Sequence, residues 1–480
     1  MRDLPGQLWQ WDAADLVSGI RTGLISSREA VSSCLQRIDA VNPTLNALVL
    51  VLREEAVAQA EAADRAVKRG EALGPLHGVP VTTKLNADQA GLPNSSGVVA
   101  YRDRIASGDN AVIANLRKAG AIVVGRTNTP PFCLRWMTEN ELHGRTLNPW
   151  SRDHVPGGSS GGGSAAVAAG MCPLTQGSDN GGSIRYPAFC TGIAGLRPTP
   201  GRVPDFNPSQ PERPISMQLI AVSGPLARRV RDLRIGLQAM AARDPRDNGW
   251  VPAPLEGPPL PRPIKVALCR DPNGDGVHPT VAAALARAAA ALAEAGYVVE
   301  EPPLPSVLEA GELWDQICQG ELREFLADTV AELGDAPMKQ AIKFMMARIP
   351  PFAAGAYIDL FTRRATLMRQ WNDLLERYPI LLSPVSTRPQ FLHGEDILSQ
   401  AANDESYRVQ SPLTAFALLG MPGVAVPTGV ADGLPTGVLV MAPRFREDLA
   451  LAAAEVIEAH CPMATPVDPQ FSPARSGTQI

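Results

Sequence analysis

Two glycine- and serine-rich stretches constrain the fold of this chain more than any other feature of its sequence. They read PGGSSGGGS at residues 156–164 and GSDNGGSIR at residues 177–185. Because glycine has no Cβ, such a run lets several backbone N–H groups converge on one point, where an anion or an oxyanion binds. The alternative is a flexible linker. A helix-forming, Ala-rich segment, GSAAVAAG, follows at once, and this placement favours a binding loop between two regular elements.

Helix-forming segments alternate with short apolar runs along much of the chain. This alternation is typical of proteins in which helices pack on a largely buried sheet, so it predicts an α/β fold. The Pro- and Gly-rich residues 244–263 predict an extended connection within that fold. The clearest predicted elements are a helix that begins at Ser26, with Ser26 and Glu29 at capping-box spacing, and ends before Pro43, a helix over Glu54–Lys68, a strand over Val79–Lys84, a helix capped by Asp109, a strand over Ala121–Val124, and helices over Gly163–Gly170 and Thr280–Gly296.

The composition argues against several functional classes. The 480 residues include 44 Lys and Arg against 49 Asp and Glu, a net charge of -5, whereas nucleic-acid-binding chains usually carry a basic excess. Seven cysteines without a C-x-x-C pair indicate neither a disulfide framework nor a zinc site, and they fit a reducing compartment. No apolar run reaches about 18 residues, and the N-terminus lacks a signal-peptide pattern. We therefore expect a cytoplasmic protein that does not span a membrane.

Three known motifs compete for the first glycine-rich stretch. A phosphate-binding P-loop needs a Gly-Lys-Ser/Thr step, which the chain lacks. A dinucleotide-binding loop needs a strand directly before Gly161, and the preceding LNPWSRDHVPGGSS is not strand-like. Residues 157–161 fit the G-x-S-x-G elbow of Ser-His-Asp α/β-hydrolases, which also needs a preceding strand and a later histidine. His278, His393 and His460 keep this weaker alternative open.

A mechanism in which a lysine activates a serine needs none of the six histidines. Lys84 lies in HGVPVTTKLNAD, Ser159 in the first glycine-rich stretch and Ser183 in the second. A serine hydroxyl is a poor nucleophile until a base removes its proton, and a neutral lysine amine is such a base. The amine's pKa must fall by roughly three units from about 10.4 to act near neutral pH, and burial shifts it in that direction.

The order of these stretches resembles that of the amidase signature family. The family's pattern is a GVP step with a lysine shortly after it, followed by a Gly/Ser-rich block that ends in GGSxR. Residues 78–204 carry the matching pieces. In order, they are GVPVTTK (Gly78–Lys84), GRTNTPPF (Gly125–Phe132), PGGSSGGGSAAVAAG (Pro156–Gly170), GSDNGGSIRYPA (Gly177–Ala188) and GIAGLRPTPGRVP (Gly192–Pro204).

The resemblance implies roles for individual residues. Ser183 would be the nucleophile, Ser159 the bridging serine that follows a cis peptide bond, and Lys84 the base. Backbone N–H groups would form an oxyanion hole, and further side chains would support the two loops. The implied oxyanion-hole residues are Asn180, Gly181, Gly182 and Ser183, and the implied supporting residues are Ser160, Asp179 and Arg185, the last two as a buried pair.

The resemblance also implies a fold and a pocket. We expect one catalytic domain over residues 1–480, with a mixed, twisted central sheet covered by helices on both faces. Its signature region is about 78–204, and a variable helical region at about 300–375 would cover the pocket. No metal and no cofactor are implied. The candidate pocket residues are Trp136 and Met137, with Trp314, Phe344, Met345, Met346, Phe352 and Tyr357 as further apolar candidates.

The implied activity is hydrolysis of linear amides through an acyl-enzyme on Ser183. The same machinery can cleave the carbamate of a urethane or an ester, and the apolar candidates favour aryl or alkyl amides. The expected partner is a small-molecule amide or carbamate substrate. Neither nucleic acid nor a membrane is expected, and a homodimer stays open.

Two alternatives remain at this point. One branch of the family is a glutamine amidotransferase subunit that acts with a partner on misacylated tRNA. The segment TTKLNAD departs from the Lys-Asp step of that branch. Asn180 stands where the family as a whole often has Thr. A non-catalytic binding protein is the other alternative. It would require Lys84, Ser159 and Ser183 to occur together by accident.

Overall fold

A mixed sheet of eleven strands runs through the fold. The computed structural model describes residues 6–349, 351 and 353–471. The strands in these residues are β1 (Leu48–Val51), β2 (Pro80–Lys84), β3 (Ile122–Thr127), β4 (Glu139–Asn140), β5 (Gly144–Arg145), β6 (Leu174–Asp179), β7 (Ala194–Arg197), β8 (Val222–Ala227), β9 (Lys265–Leu268), β10 (Val298–Glu300), β11 (Ile380–Pro384), β12 (Gly423–Ala431) and β13 (Leu434–Met441). β4 and β5 pair with each other, and the other eleven follow the order β1-β3-β2-β6-β8-β7-β12-β13-β11-β9-β10.

Both parallel and antiparallel pairs occur in the large sheet. β2 lies between β3 and β6 and is parallel to both, and β9 is parallel to β10 and to β11. The remaining neighbours are antiparallel. The prediction of a mixed sheet is therefore confirmed.

Helices surround this sheet, and none of the helices or strands lies within residues 244–263. The helices of the described residues are α1 (Ala13–Thr22), α2 (Ser27–Leu45), α3 (Arg53–Lys68), α4 (Ala111–Lys118), α5 (Gly161–Ala168), α6 (Arg185–Thr191), α7 (Ile215–Ile220), α8 (Val230–Met240), α9 (Pro279–Glu294), α10 (Val307–Phe325), α11 (Ala327–Leu333), α12 (Ala336–Arg348), α13 (Ala354–Arg377), α14 (Gln400–Val409), α15 (Ser411–Leu418) and α16 (Glu447–His460).

Two apolar cores lie on the two faces of the sheet, because alternate residues of a strand point in opposite directions. Val438 and Val440 of β13 pack in one core with α8, α9 and α16. Leu439 and Met441 of the same strand pack in the other core with α5, α6, α10 and α15. Strands buried on both faces explain the continuous apolar runs in the sequence. The predicted α/β layering, with helices on both faces, is confirmed.

The parallel strands β2 and β6 bring two distant parts of the sequence to one edge of the sheet. They are neighbours, with Val81 paired with Leu174. Both strands therefore end on the same side, β2 at Lys84 and β6 at Asp179. In open α/β sheets, ligands bind outside the carboxyl ends of the strands. The fold thus places the predicted lysine and the second glycine-rich stretch together.

The beginning of α2 agrees with the sequence prediction, and its end does not. Ser26 Oγ accepts a hydrogen bond from the Glu29 N–H, and the Glu29 side chain accepts one from the Ser26 N–H, so the capping box is confirmed. The predicted end before Pro43 is wrong, because the helix continues to Leu45 and is capped by Asn46 in the left-handed conformation. A proline in the last turn removes one N–H donor, which a short remaining stretch of helix tolerates.

The predicted cap of α4 is wrong by one residue. Asn110 is the N-cap, and its side chain accepts a hydrogen bond from the Val112 N–H. The Asp109 carboxylate instead accepts one from the Ala90 N–H. Both residue types favour N-cap positions, so the sequence alone did not distinguish between them.

Candidate active site

A cavity of about 500 Å³ opens at the carboxyl ends of β2 and β6. Ser183, which is half-buried, lies on its surface together with Asn180 and Gly181. The other walls come from the segment after β3, the segment before α7, and α10. Eight of the side chains on these walls are large and apolar, namely Phe132, Leu134, Trp136, Met217, Trp314, Leu322, Phe325 and Leu326, and four are charged, namely Arg135, Glu212, Arg213 and Glu321. The cavity therefore combines the loop that carries Ser183 with walls on which large apolar side chains lie beside charged ones.

Lys84 is fully buried at the end of β2 and faces two serines. Its Nζ lies 2.7 Å from Ser159 Oγ and 2.9 Å from Ser178 Oγ. Burial lowers the pKa of Lys84, and this effect is opposed by Cys133 and Asp179. Because burial disfavours the charged ammonium, the environment favours the neutral amine. That is the form of lysine that accepts a proton from a hydroxyl.

The two glycine-rich stretches meet at Ser159 and Ser160, which are both buried. The peptide bond between Gly158 and Ser159 is cis, as the resemblance implied. The Ser160 N–H donates to the Ser183 carbonyl oxygen at 3.2 Å, and Ser160 Oγ lies 3.3 Å from the Ser178 carbonyl oxygen. Among the described residues, no hydrogen bond joins the Ser159 and Ser183 hydroxyls. Catalytic hydrogen bonds are often long in unliganded sites and tighten when substrate binds.

Asp179 and Arg185 form a buried ion pair beside the loop of residues 180–183, which carries Ser183. Arg185 donates to the carboxylate from Nε at 3.0 Å and from Nη2 at 2.9 Å, and Arg197 adds a third contact at 3.2 Å. The same carboxylate accepts the N–H groups of Gly182 and Ile184 at 2.9 and 3.1 Å. The two arginines hold the pKa of Asp179 well below its usual range although burial raises it. The pair therefore fixes the loop's backbone.

One of the four N–H groups that the resemblance implied as oxyanion donors has another acceptor in the structure. The Gly182 N–H donates to Asp179 Oδ1, so in this structure it serves the carboxylate. The N–H groups of Asn180, Gly181 and Ser183 have no acceptor among the described residues, and all three residues line the cavity. These three groups are the candidate donors to an oxyanion.

Replacing Asp179 with Asn is expected to destabilise the protein by about 3–5 kcal/mol, because it leaves buried arginines without their charge partner. The free energy of unfolding, measured in urea at neutral pH, tests this. Because the pKa of Asp179 is lowered on folding, its contribution is present above about pH 4 and is lost as the pH falls through its folded-state value. Asp373→Asn, on the exposed face of α13, is the control; equal stability of both variants would contradict the structural role of Asp179.

The predicted pocket residues divide between cavity and core. Trp136 and Trp314 line the cavity. Met137 does not: it is 1% exposed and packs in the core. Met345 packs in a small apolar cluster between α11 and α12, and Tyr357 lines a neighbouring cavity. Phe344 and Met346 do not line the cavity that holds Ser183, and Phe352 lies outside the described residues.

Ser178 and Arg197 are site residues that the sequence analysis missed. Ser178 lies two positions after Gln176 on β6, and the Gln176 side chain accepts the Lys84 N–H at 3.0 Å. The period of two along a strand is the signal that places both side chains beside β2. Arg197 ends β7 and reaches Asp179 across the sheet. Without the strand order, nothing in the sequence indicates that Arg197 contacts Asp179.

The histidines required by the α/β-hydrolase alternative lie elsewhere. His278 caps α9 and contacts Thr280, and His460 is 3.7 Å from Glu294. Burial lowers the pKa of His393 to about 4, and this residue does not line the cavity. The segment before Gly157 is also not a strand. The arrangement of a nucleophile elbow is therefore not present at Ser159.

Metal-binding clusters and membrane-spanning helices are both absent from the described part of the chain. No group of three or more His, Cys, Asp or Glu side chains there is arranged to hold a metal ion. None of the helices in the same residues combines the length and the apolar character needed to cross a membrane.

The chain matches a known family model along most of its length. The model is that of the amidases, and it matches residues 29–451. This chain therefore belongs to the amidase signature family, whose hydrolases act on amides. The family resemblance seen in the sequence motifs is confirmed.

Relatives with different activities resemble the chain. The indoleacetamide hydrolase of Bradyrhizobium diazoefficiens is 44% identical over 455 residues, which cover 94% of this chain and 87% of that protein. A glutamyl-tRNA(Gln) amidotransferase subunit of Moorella thermoacetica is 32% identical over 485 residues, which cover 94% and 97%. Among solved structures, a 6-aminohexanoate cyclic dimer hydrolase with bound substrate has a TM-score of 0.83 at 28% identity, covering 96% of this chain and 99% of that chain. A bacterial aryl acylamidase has a TM-score of 0.80 at 26% identity, covering 95% and 97%.

Proposed function

We propose that this protein hydrolyses the C–N bond of small aryl or alkyl amides, with Ser183 as nucleophile and with Ser159 and Lys84 as the proton relay. The observation that carries this proposal is the fully buried Lys84 amine, 2.7 Å from Ser159 Oγ, next to a cavity on which Ser183 lies. A buried lysine paired with hydroxyls has the features of a general base for serine activation.

The reaction proceeds in two halves. Neutral Lys84 takes the proton of Ser159, Ser159 takes that of Ser183, and Ser183 Oγ forms a bond to the amide carbon. The tetrahedral intermediate then collapses, the C–N bond breaks, and the relay returns a proton to the departing amine. A water molecule next loses a proton to the same relay, attacks the acyl-enzyme, and releases the carboxylic acid and a free Ser183. The oxyanion formed in each half of the reaction would accept hydrogen bonds from the unpaired N–H groups of Asn180, Gly181 and Ser183.

The apolar walls support an aromatic or alkyl substrate. Trp136 and Trp314 are two of the eight apolar side chains around the cavity, and aromatic rings pack favourably against such walls. The similarity to an indoleacetamide hydrolase and to an aryl acylamidase supports the same class. We therefore propose arylacetamides, with indoleacetamide as the first compound to test. Carbamates and esters have the same kind of acyl carbon and are further candidate substrates.

A substrate panel tests this function. Indoleacetamide, an acyl anilide, a carbamate, an aryl ester and free glutamine are compared by kcat/KM, with Ser183→Ala as the background. We expect the arylacetamide to exceed glutamine by about 100-fold or more, since burial of an aromatic ring in an apolar site contributes about 3 kcal/mol. A preference for glutamine, together with copurification of a second subunit, would instead support the amidotransferase function.

The Asn180 side chain favours an amide over an ester. Its Oδ1 is buried and has no donor among the described residues, and Asn180 lines the cavity beside Ser183. An amide substrate has an N–H that can donate to this oxygen, whereas an ester does not. Asn180→Ala is expected to lower kcat/KM for indoleacetamide about 10-fold and to leave the matched ester within about 2-fold, the size of one hydrogen bond. An equal loss on both substrates would contradict this role.

A further inference from the structure

The carbonyl oxygens of residues 179–182, in and beside the loop that carries Ser183, each accept a hydrogen bond. The Asp179 oxygen accepts from Arg197 Nη1 at 2.6 Å, and the Gly182 oxygen accepts from the Tyr186 N–H at 2.8 Å. Between them, the Asn180 oxygen accepts from the indole N–H of Trp314 at 3.0 Å. The Gly181 oxygen accepts from the indole N–H of Trp136 at 3.1 Å. The two middle anchors are thus side chains that also line the cavity.

A carbonyl anchor fixes an N–H group as well, because the peptide group is planar and the C=O and N–H of a trans peptide point in opposite directions. The bond from Trp314 to the Asn180 oxygen therefore sets the direction of the Gly181 N–H, which is one of the three unpaired donors. The bond from Trp136 to the Gly181 oxygen sets the direction of the Gly182 N–H, which meets Asp179 Oδ1. Each indole thus controls one peptide plane.

These two peptide planes need an external anchor, because glycine has little torsional restraint of its own. Gly182 has φ 109°, a region that other residues rarely adopt. Gly181 is also in close contact with Trp314: a Cβ on Gly181 would lie 2.6 Å from Cζ2 of the indole ring. The loop and the ring therefore pack directly against each other.

The two indoles are themselves held in place. Trp314 is 6% exposed and packs in the core from α10. The Trp136 ring packs on Tyr407 with 4.8 Å between centroids, and the Arg348 guanidinium lies over the Tyr407 ring, 3.5 Å from its centroid. Ordered supports of this kind are what a positioned hydrogen-bond donor needs.

We infer that Trp314 and Trp136 are positioning residues for the oxyanion hole, through their indole N–H groups, in addition to forming the substrate walls. The inference rests on the proposed amide hydrolysis at Ser183. Trp314 has the larger effect, because the peptide it anchors carries the Gly181 N–H, one of the three unpaired candidate donors at the cavity. Trp136 has the smaller effect, because the peptide it anchors donates to Asp179.

Tryptophan-to-phenylalanine variants test the inference, since phenylalanine keeps an aromatic wall and lacks the N–H. For Trp314→Phe we expect kcat on indoleacetamide to fall about 10- to 100-fold with KM within about 3-fold, the pattern of a lost transition-state interaction. For Trp136→Phe we expect a smaller fall in kcat, again without a large change in KM. Trp150→Phe is the matched control: its indole N–H also donates to a backbone oxygen, that of Thr191 at 2.9 Å, and it does not line the cavity.

A second readout separates positioning from general damage to the fold. An arylboronic acid forms a tetrahedral adduct on a catalytic serine, whereas the product arylacetate binds without one. We expect the inhibition constant of the boronic acid to rise in proportion to the loss of kcat in Trp314→Phe, and the Kd of the arylacetate to stay within about 3-fold. If Trp314→Phe does not fold, Trp136→Phe, whose ring is half-buried, decides the matter.

The outcomes for the inference and for the proposed function are distinct. If the wild-type enzyme hydrolyses amides while Trp314→Phe and Trp136→Phe keep kcat or change only KM, the inference is contradicted and the proposed function is not. Equal losses in Trp314→Phe and Trp150→Phe contradict it as well. A wild-type protein that turns over no amide and whose Ser183 does not react with a fluorophosphonate contradicts the proposed function, and the inference with it.

Discussion

Ser183→Ala is expected to abolish acyl-enzyme formation and to lower kcat on indoleacetamide by roughly 10⁴-fold or more. The reason is that Ser183 carries the hydroxyl of the same cavity loop that supplies the three unpaired N–H groups, those of Asn180, Gly181 and Ser183. Steady-state turnover measures the loss. Labelling with a fluorophosphonate, followed by peptide mapping, measures the nucleophile directly.

The controls for this prediction use other serines. Ser107→Ala, at an exposed position outside the cavity lining, should retain wild-type turnover. In the wild-type protein the label should be on Ser183. A label on Ser159 instead would mean that Ser159 is the nucleophile, and the proposed relay would be wrong.

Lys84→Ala is expected to lower kcat by about 10³-fold or more, within the range of general-base catalysis. In the wild-type enzyme, activity should fall at low pH as Lys84 becomes protonated. Because burial lowers the pKa of Lys84, the enzyme should remain active well below the pH of about 10.4 at which an ordinary lysine loses its proton. The residual activity of the variant should lack this limb of the pH profile. Near-native turnover would contradict the assignment of the base.

The lowered pKa of Lys84 also predicts how the free energy of unfolding depends on pH. Its pKa is lower in the folded state than in the unfolded state, so between those two values the unfolded chain binds more protons, and the free energy of unfolding rises with pH. Lys84→Met removes this dependence and should stabilise the protein at neutral pH, with a difference that shrinks as the pH approaches about 10.4. Lys343→Met, at an exposed position on α12, is the control. A stability difference between the wild type and Lys84→Met that does not change with pH would contradict the lowered pKa of Lys84.

Local patterns in the sequence predicted the fold and much of the candidate site. The strand that ends at Lys84, the helix after the first glycine-rich stretch and the capping box at Ser26 each depend on residues close in sequence, and all three are present. The family motifs supplied the pairing of Lys84 with Ser159, which lie 2.7 Å apart. Periodicity and caps act over a few residues, and for this reason they can be read without a structure.

Contacts between distant parts of the chain could not be predicted in this way. The bond from Trp314 to Asn180 joins residues that are 134 positions apart, and Arg197 reaches Asp179 only because β7 and β6 both neighbour β8. The choice between Trp136 and Met137 as a pocket residue depends on how the bend before β4 is oriented, and the sequence of that bend contains two large apolar side chains in a row. Each of these questions is settled by packing rather than by local preference.

The cavity-lining residues at and after Trp314 on α10 differ in how freely they can be replaced while activity is retained. Leu322, Phe325 and Leu326 line the cavity from the same region, and their hydrocarbon side chains have no donor to offer the nucleophile loop, so mutations there can alter substrate range while the donors stay in place. A change at Trp314 alters both at once. Directed evolution toward bulkier amides should therefore accept replacements at the first three positions readily, and should retain tryptophan at position 314 in the most active variants.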